Sequence, residues 1–92
     1  MIRTRNLTLS TTVPTELTIE DTVQSANTLV VQNDNSTGYI YVGTSTVSSS
    51  SYGIKLFPGQ AFTIELSAYS HVYAVCSANT MSAAVMVIER AI

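Results

Sequence analysis

The stretch Leu56-Phe57-Pro58-Gly59-Gln60, continued by Ala61-Phe62-Thr63-Ile64-Glu65-Leu66, decides how the chain folds. Proline presets φ at about −65° and glycine accepts positive φ, so Pro58-Gly59 suits the two central positions of a type II turn. Beyond the turn, Phe62, Ile64 and Leu66 alternate with Thr63, Glu65 and Ser67, which places three large apolar groups on one face of a strand. Extended runs of the same kind lie on either side: Tyr39 to Gly43, Tyr52 to Leu56, His71 to Cys76 and Ala83 to Ile88. The last two are more apolar than one buried face requires, with Val72, Ala74 and Cys76 against His71, Tyr73 and Val75, and Ala84, Met86 and Ile88 against Ala83, Val85 and Val87. Such strands need cover from a second layer or from a neighbouring subunit. About eight short strands at a spacing of roughly 8 to 12 residues predict an all-β fold, a single antiparallel β-sandwich or jelly roll.

Working outward, Leu29-Val30-Val31-Gln32, the turn-rich segment Asn33 to Gly38, and Gly38 to Gly43 read as a hairpin. Its second arm points Ile40 and Val42 to one side and Tyr39 and Tyr41 to the other. Leu7 with Leu9, and Leu17 with Ile19, alternate with polar residues as two further strands. Pro14 between them cannot donate to a ladder and marks a strand end or an edge. Residues 1–6 are expected as an N-terminal arm, and Asp21 to Asn27 as a polar loop or single helical turn. Of the eight residues Thr44 to Ser51, seven are hydroxylic. Such a segment has little to bury against the entropy of ordering, so a mobile surface loop is expected. No linker or repeat divides the chain, and 1–92 reads as one domain.

Charged residues make up 11% of the 92, against about 25% in a typical domain. Serine and threonine, about a quarter of the chain, take their place. Charge is depleted at the centres of protein interfaces, so much of this surface is expected to meet other protein. With a net charge of −2 and four basic residues, there is no concentrated patch for phosphates, which argues against nucleic acid. No apolar run approaches the roughly 18 residues of a membrane span, and no secretory h-region precedes the first strand, so synthesis in a cytosol is expected. Cys76 is the single cysteine; in an alternating apolar run it reads as a small buried hydrophobe.

A Ser-His-Asp hydrolase would have to use His71, the one histidine, and there is no Gly-x-Ser-x-Gly elbow. One His and one Cys cannot supply a zinc site, and the acidic or amide groupings Asn33-Asp34-Asn35 and Glu20-Asp21 read as turn chemistry and a solvated edge rather than calcium ligands. The four glycines are single, so no phosphate loop is present, and no cofactor is expected. The tyrosines are the most informative side chains left, since they combine apolar area with a polar tip and suit interfaces and sugar-stacking surfaces alike. Tyr39 and Tyr41 stand out as candidates for contacts beyond the monomer core, together with Tyr73.

The order of Tyr41-Val-Gly-Thr-Ser-Thr-Val47, Ser49-Ser-Ser-Tyr-Gly-Ile-Lys-Leu-Phe-Pro-Gly-Gln60, Phe62-Thr-Ile-Glu-Leu66 and Val72-Tyr-Ala-Val-Cys-Ser-Ala78 resembles that of small β-sandwich virion structural proteins of tailed bacteriophages, which decorate or cement the head. The likeness covers roughly Leu29 to Glu89. It implies a non-enzymatic subunit, an oligomer with a trimer favoured, that binds the major capsid protein or another virion protein on the capsid surface. It also implies that the N-terminal arm, with Ile2, Arg3 and Arg5, and the loop at Thr44 to Ser51 reach neighbouring subunits. Two other classes stay open: a carbohydrate- or receptor-binding module of a phage fibre or tail, and a small enzyme in which His71 meets a carboxylate and a serine.

Overall fold

The structure, a computed structural model, describes residues 2–18, 26–78 and 81–89. Eight strands follow one another: β1 (Ile2–Thr8), β2 (Thr15–Glu16), β3 (Asn27–Gln32), β4 (Ile40–Gly43), β5 (Ile54–Leu56), β6 (Ala61–Leu66), β7 (Tyr73–Cys76) and β8 (Ser82–Glu89). They form two four-stranded antiparallel sheets, ordered β1-β8-β3-β6 and β2-β7-β4-β5. The first strand lies beside the last, the second beside the seventh, the third beside the sixth and the fourth beside the fifth. That nesting is the jelly-roll connectivity, so the all-β sandwich expected from the strand spacing is what the chain forms.

The core lies between the sheets and follows the period of two. Leu29 and Val31 of β3, Ala83, Val85 and Val87 of β8, Ile40 and Val42 of β4, and Ala74 and Cys76 of β7 are all buried in it, with Phe62 and Ile64 of β6 packed against them. Cys76 behaves as the small hydrophobe anticipated, its thiol donating to the Ala78 carbonyl at 2.8 Å. The Pro58-Gly59 turn also forms as read: Gly59 has φ +83° and Gln60 N–H donates to Phe57 O at 3.0 Å. It carries the chain from β5 in one sheet to β6 in the other.

Three expectations are corrected. Residues 29–43 are not a hairpin: β3 and β4 sit in different sheets, each between two other strands, and the segment between them crosses the end of the sandwich. The crossing is held by Asn33, fully buried, whose Nδ2 donates to Gly38 O and Leu56 O at 3.1 and 3.0 Å. Its Oδ1 accepts from Asn35 N and Nδ2, and Asn35 in turn donates to Ser82 O at 2.7 Å. These amides are therefore committed to turn and crossing bonds. Gly38 permits the path, since its φ is +89° and a Cβ there would lie 2.7 Å from Met81 Sδ.

Second, the expected arm is part of a sheet: β1 pairs with β8 residue for residue from Ile2↔Ile88 to Thr8↔Ser82. Opposite the buried Val87, Val85 and Ala83 it carries Arg3, Arg5 and Leu7, so the stretch before Leu7 shows no apolar alternation in sequence. The chain then changes sheets at residues 9–10, where Leu9 N bonds Met81 O and Ser10 O accepts from Cys76 N. The second strand is shorter than read; Leu17 is buried just after it, while Ile19 and the Glu20-Asp21 pair lie outside the described residues.

Third, Thr44 to Ser51 does have something to bury. Val47, its one apolar residue, joins Tyr41 and Val75 in a second, smaller cluster on the outer face of β4 and β7, with Tyr39 and Tyr73 packed against it. Bonds from Val47 N to Thr44 O, between Ser48 and Ser51, and from Gly53 N to Val42 O fold the segment into two tight turns over that face.

Candidate functional site

The alternation that buries one face of β1-β8-β3-β6 leaves the other pointing outward. The register aligns its residues in rows: Ile2-Ile88-Thr28-Glu65, then Thr4-Met86-Val30-Thr63, then Asn6-Ala84-Gln32-Ala61. Glu65, on the edge strand β6, is the single charge in these rows. Ile2 is 62% exposed, and Val30, Ala84, Met86 and Ile88 are half-buried. None of them joins either buried cluster among the described residues. Where the small Ala84 sits between Met86 and Gln32, the surface dips into a depression of about 310 Å3 whose walls include Thr4, Arg5, Asn6 and Val30. An apolar floor with a rim of hydroxyls, amides and the single cation Arg5 is the composition of a protein-docking surface.

The outer face of the other sheet differs. Tyr41, proposed from sequence for outside contacts, is only 8% exposed because Val47 plugs it. Its neighbours form a continuous strip toward the β5 edge. Tyr41 and Tyr52 have ring centroids 4.9 Å apart, and Tyr39 and Phe57 meet edge to face at 5.1 Å. Lys55, opposite Tyr41 in the register, places its Nζ 4.2 Å from the Tyr39 ring centre, 5.3 Å from Phe57 and 5.9 Å from Tyr41. Of the six interface candidates, the structure thus puts Ile2 on the first face, Arg3 and Arg5 along the β1 edge, Tyr39 in the aromatic strip, and Tyr41 and Tyr73 in or against the second cluster. Lys55 and Phe57 were missed. Their signal was that Lys55 is the chain's one lysine, placed two residues before an aromatic at a turn.

At the opposite edge, His71 meets a carboxylate. Its Nδ1 lies 2.5 Å from Glu16 Oε2, and Thr18 Oγ1 donates to that same oxygen at 2.5 Å. Burial pushes the Glu16 carboxyl up, but the hydrogen bonds from His71 and Thr18, with the charges of His71 and Arg5, outweigh it and hold the group below its ordinary value. The hydroxyl here is Thr18, bonded to the carboxylate rather than to the imidazole, so the cluster is a clasp at the two-residue strand β2. Among the described residues no three His, Cys, Asp or Glu side chains converge as a metal site. Compared with protein-family models, with curated proteins and with solved structures, the chain gives no match.

Proposed function

We propose that this protein is a non-enzymatic structural subunit that works by docking on other protein, and that its partner is the shell of a virion, which it decorates or cements as a small oligomer after synthesis in the host cytoplasm. The observation that carries the reading is the outer face of β1-β8-β3-β6, with Ile2, Val30, Met86 and Ile88 in rows that hold one charge. The low overall charge and the sequence likeness to phage head proteins support it. The jelly roll adds support by analogy alone, since capsid and lectin domains share it.

Magnitudes decide how such a subunit would hold on. Full burial of a large apolar side chain is worth about 1.5–3 kcal/mol, so four that are already partly covered leave on the order of 5 kcal/mol. Association costs an estimated 4–15 kcal/mol or more in lost freedom. One copy alone is therefore near break-even, and tight attachment requires several linked contacts, as an oligomer on a repeating shell provides. The test is purification of particles from cells producing the protein, with image reconstruction. The reading expects ordered density for the wild type and its loss for Met86→Glu; particles without the wild-type protein contradict it.

A further inference from the structure

The aromatic strip on the second sheet is not explained by docking through the first. Phe57 and Tyr52 are 48% and 44% exposed, which leaves two large ring surfaces in water on either side of Lys55 and the half-buried Tyr39. An ammonium over three rings is a stable arrangement in itself. It also holds the one lysine of the chain against aromatic faces with its positive charge available to an anion. Beside Tyr52 lies a depression of about 190 Å3 walled by Gly43, Thr44, Ser51 and Gly53. Those walls offer hydroxyls and main chain, neutral groups that donate and accept hydrogen bonds.

We propose that the strip formed by Tyr39, Phe57, Lys55 and Tyr52 binds a saccharide that carries a carboxylate. The C–H face of a pyranose stacks on an electron-rich ring, and Tyr52 and Phe57 supply two such rings. Sugar hydroxyls match the neutral groups of Thr44 and Ser51. The carboxylate answers Lys55, because a hydrogen bond between an ammonium and a carboxylate is charge-assisted. An acidic peptide would use Lys55 equally but has no reason to need two open rings beside a hydroxyl-lined hollow. The site lies on the sheet opposite the docking face, so it stands or falls separately from the assembly role.

The test is a titration of the full chain followed by amide chemical shifts, with trigalacturonate, neutral maltotriose and hexaglutamate as the three probes. Trigalacturonate is expected to shift Tyr39, Ser51, Tyr52, Gly53 and Phe57 with a Kd on the order of 1 mM, and maltotriose to bind at least about tenfold more weakly. Lys55→Met should bring the acidic sugar down to the neutral one's affinity. Phe57→Ala and Tyr52→Ala, both at exposed positions, should each weaken trigalacturonate about tenfold while the rest of the spectrum stays in place. Three results overturn the proposal: no localised shifts up to about 10 mM, binding unaffected by removing the rings, or hexaglutamate binding as well as the sugar.

Discussion

The two sheets of this sandwich each contain a central strand that is apolar on both faces, and the chain deals with them in opposite ways. Over β7 and β4, the segment 44–53 folds back and drops Val47 onto Tyr41 and Val75, so the outer face becomes a second core. Over β8 and β3, the residues Met86, Ile88 and Val30 stay half accessible and join no buried cluster among the described residues. A doubly apolar strand demands cover, but the cover can come from the same chain. The sheet that lacks such a plug keeps its second apolar set half accessible at the surface.

The comparison breaks most completely at Asn33, because that residue ties the end of β3 in one sheet to β5 in the other. Asn33→Ala would remove four side-chain bonds and leave the buried Leu56 carbonyl and the part-buried Gly38 carbonyl without their donor. The expected loss is about 3 kcal/mol, which lowers Tm by roughly 12 °C or more, as thermal unfolding followed by circular dichroism would show. A variant as stable as the wild type would mean the crossing is held by its backbone alone.

Unplugging the covered face comes next. Val47→Ser should destabilise by about 2 kcal/mol in denaturant titration, through lost burial and the space left over Tyr41. If the segment were only a surface loop, the change would stay within about 0.5 kcal/mol. For the same reason Tyr41→Ser should weaken the fold itself, whereas the exposed Tyr52 should tolerate replacement.

A smaller effect is expected at the Glu16 clasp on the edge of the covered sheet. Because the folded state holds this carboxyl below its ordinary value of 4.5, the clasp contributes its full stability above that pH and loses it as pH falls through the lowered value. The pair is partly exposed, so the contribution is under about 1 kcal/mol. Glu16→Gln should remove that part of the acid dependence, and a stability profile unchanged by the substitution would deny the clasp any role.

The turn at Pro58-Gly59 and the inward sets of β4, β6, β7 and β8 were legible because local chemistry and a period of two determine them. The supposed hairpin at residues 29–43 was not, because nothing in a run such as Leu29-Val-Val states which strand it pairs with, and a buried Asn33 looks the same in sequence as an exposed turn asparagine. The cover over Tyr41 depended on a lone Val47 among hydroxyls, a contact between segments that alternation cannot reveal. Of the docking face, Ala84, Met86 and Ile88 were visible as a second apolar set; their alignment with Ile2 and Val30 required the register.

The open face is tested most directly by sedimentation velocity at tens of micromolar protein, comparing the wild type with Met86→Glu. Since Met86 points outward, the substitution should leave unfolding stability within about 0.5 kcal/mol of the wild type. In the absence of a shell to dock on, the account expects the wild type to cover this face by self-association and the variant to sediment as a monomer. A wild type that remains a single monomeric species, or a variant that associates equally well, would contradict it.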